Sequence, residues 1–152
     1  MKRLQTLQLL LEKEQGLRDE AQAALRAAVR QAEGAQAQLD GLVGYRTEYH
    51  QRWSTQFARG AAMDIVRCYH GFIARLDQAV AQQQGSVRMA QAGVESARKR
   101  LVEREIRVAT VERLMQRRRE LLARMADRRE TKNLDEMAQR RSRAADLVGF
   151  DR

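Results

Sequence analysis

Apolar residues return at alternating steps of three and four along almost the whole 152-residue chain, in two runs separated by one stretch that loses the rhythm. Such spacing puts them on one face of an α-helix, and sustained over many heptads it marks a helix that packs lengthwise against another. The first run is Leu4, Leu7, Leu11, Glu14, Arg18, Ala21, Leu25, Ala28, Ala32, Ala35, Leu39, Leu42, Arg46, Tyr49 and Trp53, flawed at Glu14, Arg18 and Arg46. The second, more regular run is Val66, Tyr69, Ile73, Leu76, Val80, Gln83, Val87, Ala90, Val94, Ala97, Leu101, Arg104, Val108, Val111, Met115, Arg118, Leu122 and Met125. Residues 54–64 keep neither register and include Arg59, Gly60, Ala61 and Ala62, where glycine supplies the backbone freedom that a reversal needs.

Folded back at that point, the two runs face each other. Trp53 falls level with Tyr69, Tyr49 with Ile73, Leu42 with Val80, Ala32 with Ala90, Leu11 with Val111 and Leu7 with Met115. Large side chains gather near the reversal and small ones lie midway. The layer of Arg18 and Arg104 interrupts the match, and is read as a weak point where long stems run along the seam with their charges in water. The predicted fold is therefore all-α: a long antiparallel two-helix coiled-coil hairpin, treated as one domain over 1–152. Helix one is expected at about 3–56, the hinge at about 57–62, helix two at about 63–144 and a short tail at 145–152. Leu4 falls level with Arg118, so helix two should overhang. At about 1.5 Å per residue the paired part would be on the order of 80 Å long and the overhang up to ~40 Å.

Composition agrees with this reading. The chain has no proline, aromatics are 5% and charged residues 32%, so nothing breaks the helices and little bulk exists for a central globular core. The single cysteine, Cys68, excludes an internal disulfide and reads as an inert thiol near the seam. Glu12, Glu14 and Asp19 follow the basic start too soon for a secretory signal, and no apolar run is long enough to span a membrane. A cytoplasmic protein is expected.

Net charge is +9, and between residues 98 and 143 sixteen basic residues stand against eight acidic ones, so nearly all of the excess lies there. Arg117, Arg118, Arg119, Arg124, Arg128, Arg129 and Lys132 form its densest part. A basic helix suits acidic protein surfaces, nucleic acid or anionic lipid. Interspersed acids and the lack of aromatics in the basic segment argue against a nucleic-acid-binding coiled coil, the main alternative. A long heptad seam is better satisfied by a partner helix than by a membrane surface.

No catalytic constellation is present. His50 and His70 have no Cys, Asp or Glu three or four residues on to complete a metal pair, and read as polar rim residues. A glycine-rich phosphate loop is also missing. No enzyme activity and no cofactor is expected. What remains is surface: Gln38, Leu42, Tyr45 and Tyr49 on helix one, and Phe72, Leu76, Ala79 and Gln83 on helix two, each spaced four, three, four. The two stripes fall level and make one patch. Spacing alone allows a wide core near the hinge as readily as a binding site, but Tyr45 and Phe72 favour an interface, because clustered surface aromatics mark binding patches.

Three segments carry a family resemblance: residues 2–15 (KRLQTLQLLLEKEQ), residues 69–80 (YHGFIARLDQAV) and residues 128–141 (RRETKNLDEMAQRR), the last with Lys132, Asp135 and Glu136. Together they resemble the flagellar FliJ family, a soluble part of the type III export apparatus. The resemblance implies that Gln38, Leu42, Tyr45, Tyr49, Phe72, Leu76 and Ala79 bind the membrane export gate protein FlhA, while Gln83 stands where the family has histidine. It further implies that the paired helix ends enter the hexameric ring of the export ATPase FliI, as the central stalk does in rotary ATPases, with the basic overhang, Arg117 to Arg119 included, as the part that enters. Export chaperones are further possible partners. The resemblance thus points to a monomer in isolation, held at the inner membrane at the flagellar base through its partners, and to no nucleic-acid ligand.

Overall fold

The computed structural model describes residues 2–149. Two helices account for nearly all of them, α1 over Lys2–Ala58 and α2 over Met63–Gly149, with no strand among the described residues. Of the tail expected at 145–152, residues 145–149 continue α2 and residues 150–152 lie outside those described.

The reversal occupies the four residues between the helices. α1 ends in tightened bonds, with the Arg59 amide donating to the Gln56 carbonyl and the Gly60 amide to the Phe57 carbonyl, both at 3.1 Å. Gly60 takes φ +91°, a conformation that a Cβ disfavours and that commonly closes a helix. α2 then starts at once, the amides of Ile65 and Val66 donating to the Ala62 carbonyl at 3.1 and 3.2 Å. Asp64 in its first turn meets the positive end of the helix dipole.

The chain divides into two compact units: Gly16–Glu105, and another in which α1 up to Gln15 lies with α2 from Ile106 onward. The division falls within three residues of Arg18 and Arg104, where the seam is interrupted. Arg18 turns its guanidinium to neighbouring Asp19, with Nε and Nη2 donating to Oδ1 at 3.2 and 3.0 Å. The seam there is left to small Ala21, which is buried.

In the unit spanning residues 16–105, Ala21, Tyr69, Leu76, Val80 and Val87 are buried, and in the other unit Val108, Val111 and Met115. All eight belong to the heptad runs. Met125 departs from its expected place in the seam, being 44% exposed. Beyond Leu122 every residue from 123 to 149 is exposed, and the heptad positions there, Arg129, Lys132, Glu136, Gln139, Arg143 and Asp146, are all polar. The apolar heptad rhythm lapses there, although Leu134, Met137, Leu147 and Val148 stand exposed on the same segment. No helix among the described residues is long and apolar enough to cross a membrane.

Candidate protein-docking surfaces

Near the turn, α1 carries Tyr45, Tyr49, Trp53 and Phe57 at strict steps of four, which stacks them on one helix face. Tyr69 and Phe72 meet them from α2. Tyr49 lies at the centre, with ring centroids 4.5 Å from Phe72, 5.8 Å from Tyr69, 5.9 Å from Trp53 and 6.1 Å from Tyr45. Tyr69 also touches Trp53 at 6.0 Å, the level pair expected from the runs, and Phe57 edge-on at 5.1 Å. Such offset and edge contacts contribute about 0.5–1.5 kcal/mol per pair beyond burial alone. The cluster therefore fixes the register of the helices here as well as filling the space between them.

The eight residues of the expected patch divide between core and surface. Leu76 is buried, and Leu42, Tyr49, Phe72, Ala79 and Gln83 are half-buried. Gln38 and Tyr45 are exposed, Tyr45 by 50%. Tyr45 nevertheless has an anchor, because its ring meets Phe72 edge-on at 6.3 Å across the helix pair. Gln83 joins the same face: its Nε2 donates to the Ala35 carbonyl at 2.9 Å and to Gln38 Oε1 at 3.2 Å. The result is a face held from beneath by Leu76 and Tyr49, with a tyrosine ring and a glutamine amide open to solvent. A surface of that kind can bind a protein.

Three features here are not visible as spacing. His50 Nδ1 hydrogen-bonds the Tyr69 hydroxyl, giving the buried phenol a polar partner from the other helix. Arg46, a flaw in the first run, pairs with Asp77 of α2, Nη1 to Oδ1 at 3.0 Å. Cys68 is exposed, away from the seam where it was expected. The first two pairs could be suspected only from an opposite charge or hydroxyl near the same level of the second helix. No cluster of His, Cys, Asp or Glu able to hold a metal occurs among the described residues.

The basic surface lies in the other unit. Arg117, Arg119, Arg124, Arg128, Arg129 and Lys132 are exposed, while Arg118 is half-buried and its Nε is enclosed with no hydrogen-bond partner. Among the described residues, Gln116 to Glu120, at 3.2 Å, is the only bond between polar side chains in this part of α2, so the exposed guanidinium groups are open to a partner.

A comparison with curated proteins gives no match, and neither does one with solved structures. The family model described as "Flagellar FliJ protein" matches residues 1–146. That span takes in α1, α2 as far as residue 146, the aromatic cluster and the basic surface. The chain belongs to the flagellar FliJ family, a component of flagellar export.

Proposed function

We propose that this chain is a non-enzymatic stalk and adaptor of flagellar type III export. Its basic surface, Arg117, Arg118, Arg119, Arg124, Arg128, Arg129 and Lys132, binds the hexameric export ATPase FliI and promotes ring assembly. The patch of Gln38, Leu42, Tyr45, Tyr49, Phe72, Leu76, Ala79 and Gln83 binds the gate protein FlhA and so couples the ATPase to export, with an escort role toward export chaperones. Hydrolysis belongs to the ring. The protein acts in the cytoplasm, as a monomer until it meets its partners, and is held at the inner membrane through them.

The observation that carries this reading is Tyr45: half of an aromatic side chain faces solvent while its edge is braced on Phe72 of the other helix. A rigid, partly exposed aromatic is the kind of anchor that dominates protein interfaces, because little conformational entropy is lost when it is covered. Of the eight patch residues, Leu76 supports the surface from below and Gln38, Tyr45 and Gln83 present it. The test is the double variant Tyr45→Ala, Phe72→Ala, assayed for binding to the purified cytoplasmic part of the gate protein and for swimming in a strain lacking the wild-type gene. Loss of both is expected. Wild-type values for both would remove the patch from the interface.

A further inference from the structure

The unit formed by the start of α1 and the later part of α2 has an apolar surface that the helix pair does not use. A groove of about 440 Å³ is lined by Leu7 of α1 and by Leu114 and Leu121 of α2, together with Arg3, Arg117 and Arg118. Its wall is almost entirely apolar, the arginines contributing their aliphatic stems. Leu114 and Leu121 are 45% and 46% exposed, although they lie one heptad apart on a single helix face. Met125, 44% exposed, continues that face beyond the last buried layer. Two paired helices thus leave an open apolar furrow whose period matches a third helix.

Charge selects the occupant. Arg3, Arg117 and Arg118 border the furrow with no ion pair to any of them among the described residues. A second copy of this chain would bring the same guanidinium groups together, which like-charge repulsion opposes. A carboxylate-bearing partner satisfies them. We infer that this groove seats an amphipathic α-helix from another protein, with apolar residues at i, i+3, i+4 and i+7 against Leu7, Leu114 and Leu121, and with Asp or Glu flanking that stripe to meet Arg117 and Arg118. This is recognition of a helix in a groove, in which apolar anchors supply affinity and the charged rim sets orientation and partner choice. The inference goes beyond the stalk reading, and it holds whichever protein supplies the helix.

The test uses the full chain and three labelled synthetic peptides of four heptads: leucine at a and d with glutamate at e and g, the same with glutamine at e and g, and the glutamate peptide with serine at a and d. Fluorescence anisotropy should show saturable binding of the first, with the other two weaker by about tenfold or more. Leu114→Ser, Leu121→Ser should weaken the first peptide to a similar degree, and Leu134→Ser, Met137→Ser, on the exposed tail, should leave it unchanged. Circular dichroism checks that each variant stays helical. A benzophenone at the peptide's centre, mapped by mass spectrometry, should cross-link to the groove in the unmodified chain, which tests the site even if a variant misfolds. Equal binding of all three peptides, cross-links elsewhere, or binding of phosphatidylglycerol vesicles through the same leucines with no peptide binding would each overturn the inference. ATPase binding by the basic surface is measured separately, so failure of the groove and failure of the stalk reading are distinguishable.

Discussion

The side-chain amide of Gln83 on α2 donates to the main-chain carbonyl of Ala35 on α1, at 2.9 Å. Ala35 lies inside a helix, so its carbonyl already accepts one bond and offers its second lone pair across the seam. The same amide reaches Gln38 Oε1, and a heptad position that looks poorly suited to a core becomes a polar clasp. Replacing Gln83 with alanine is expected to destabilise the chain by about 1 kcal/mol, since both bonds are lost in a half-buried place. Urea unfolding followed by circular dichroism measures it, and an unchanged midpoint would show that water replaces the clasp without cost.

Charge reversal on α2 offers a second measurement. Arg117 and Arg119 are exposed, so Arg117→Glu, Arg119→Glu should leave the fold intact while weakening ATPase binding by about tenfold or more at low salt. The gap between variant and parent should narrow as salt rises, because screening reduces both contributions. Arg118 is left out because it is half-buried and its Nε is enclosed.

Gly60 closes α1 at φ +91°. A Cβ there finds open space, so any effect of substitution is one of backbone strain rather than crowding. Gly60→Val should cost about 1–2 kcal/mol, and Gly60→Asn clearly less, because asparagine tolerates this conformation better than a β-branched residue. Comparing the thermal midpoints of the two variants separates strain from mere loss of glycine.

Gly34 and Gly93 make the opposite case. Both lie within helices, and nothing stands within 4 Å of the place that an alanine methyl would take at either. Gly34→Ala and Gly93→Ala should each stabilise the chain by up to about 1 kcal/mol, through the smaller entropy lost when alanine becomes helical. A fall in stability for either would mean that the methyl displaces something the helix pair needs.

Much of the fold is legible because one physical rule, burial of an apolar stripe, governs nearly every residue. The buried set falls on the two heptad runs, and the reversal falls where the register lapses and glycine is available. Met125 escaped that rule because a linear pattern says which residues are apolar and not whether another helix covers them. Arg46 with Asp77, and His50 with Tyr69, were hidden for another reason. Such pairs depend on side-chain rotamers across the seam, and spacing is silent about rotamers. The patch was half legible. Spacing placed Tyr45 near Phe72, but the burial of Leu76 and the clasp at Gln83 follow from packing depth, which a linear pattern does not encode.

The four-residue link between the helices also bears on how the chain acquires its structure. His50 and Tyr69 are separated by only 19 residues of sequence, Arg46 and Asp77 by 31, and Gln38 and Gln83 by 45. Each layer, once made, shortens the loop that the next must close, so pairing can start at the aromatic rings and advance like a zipper at little entropic cost per step. The layer of Leu7 and Met115 then forms late and frays early, and pulsed hydrogen exchange should find amides there gaining protection after those near Tyr69.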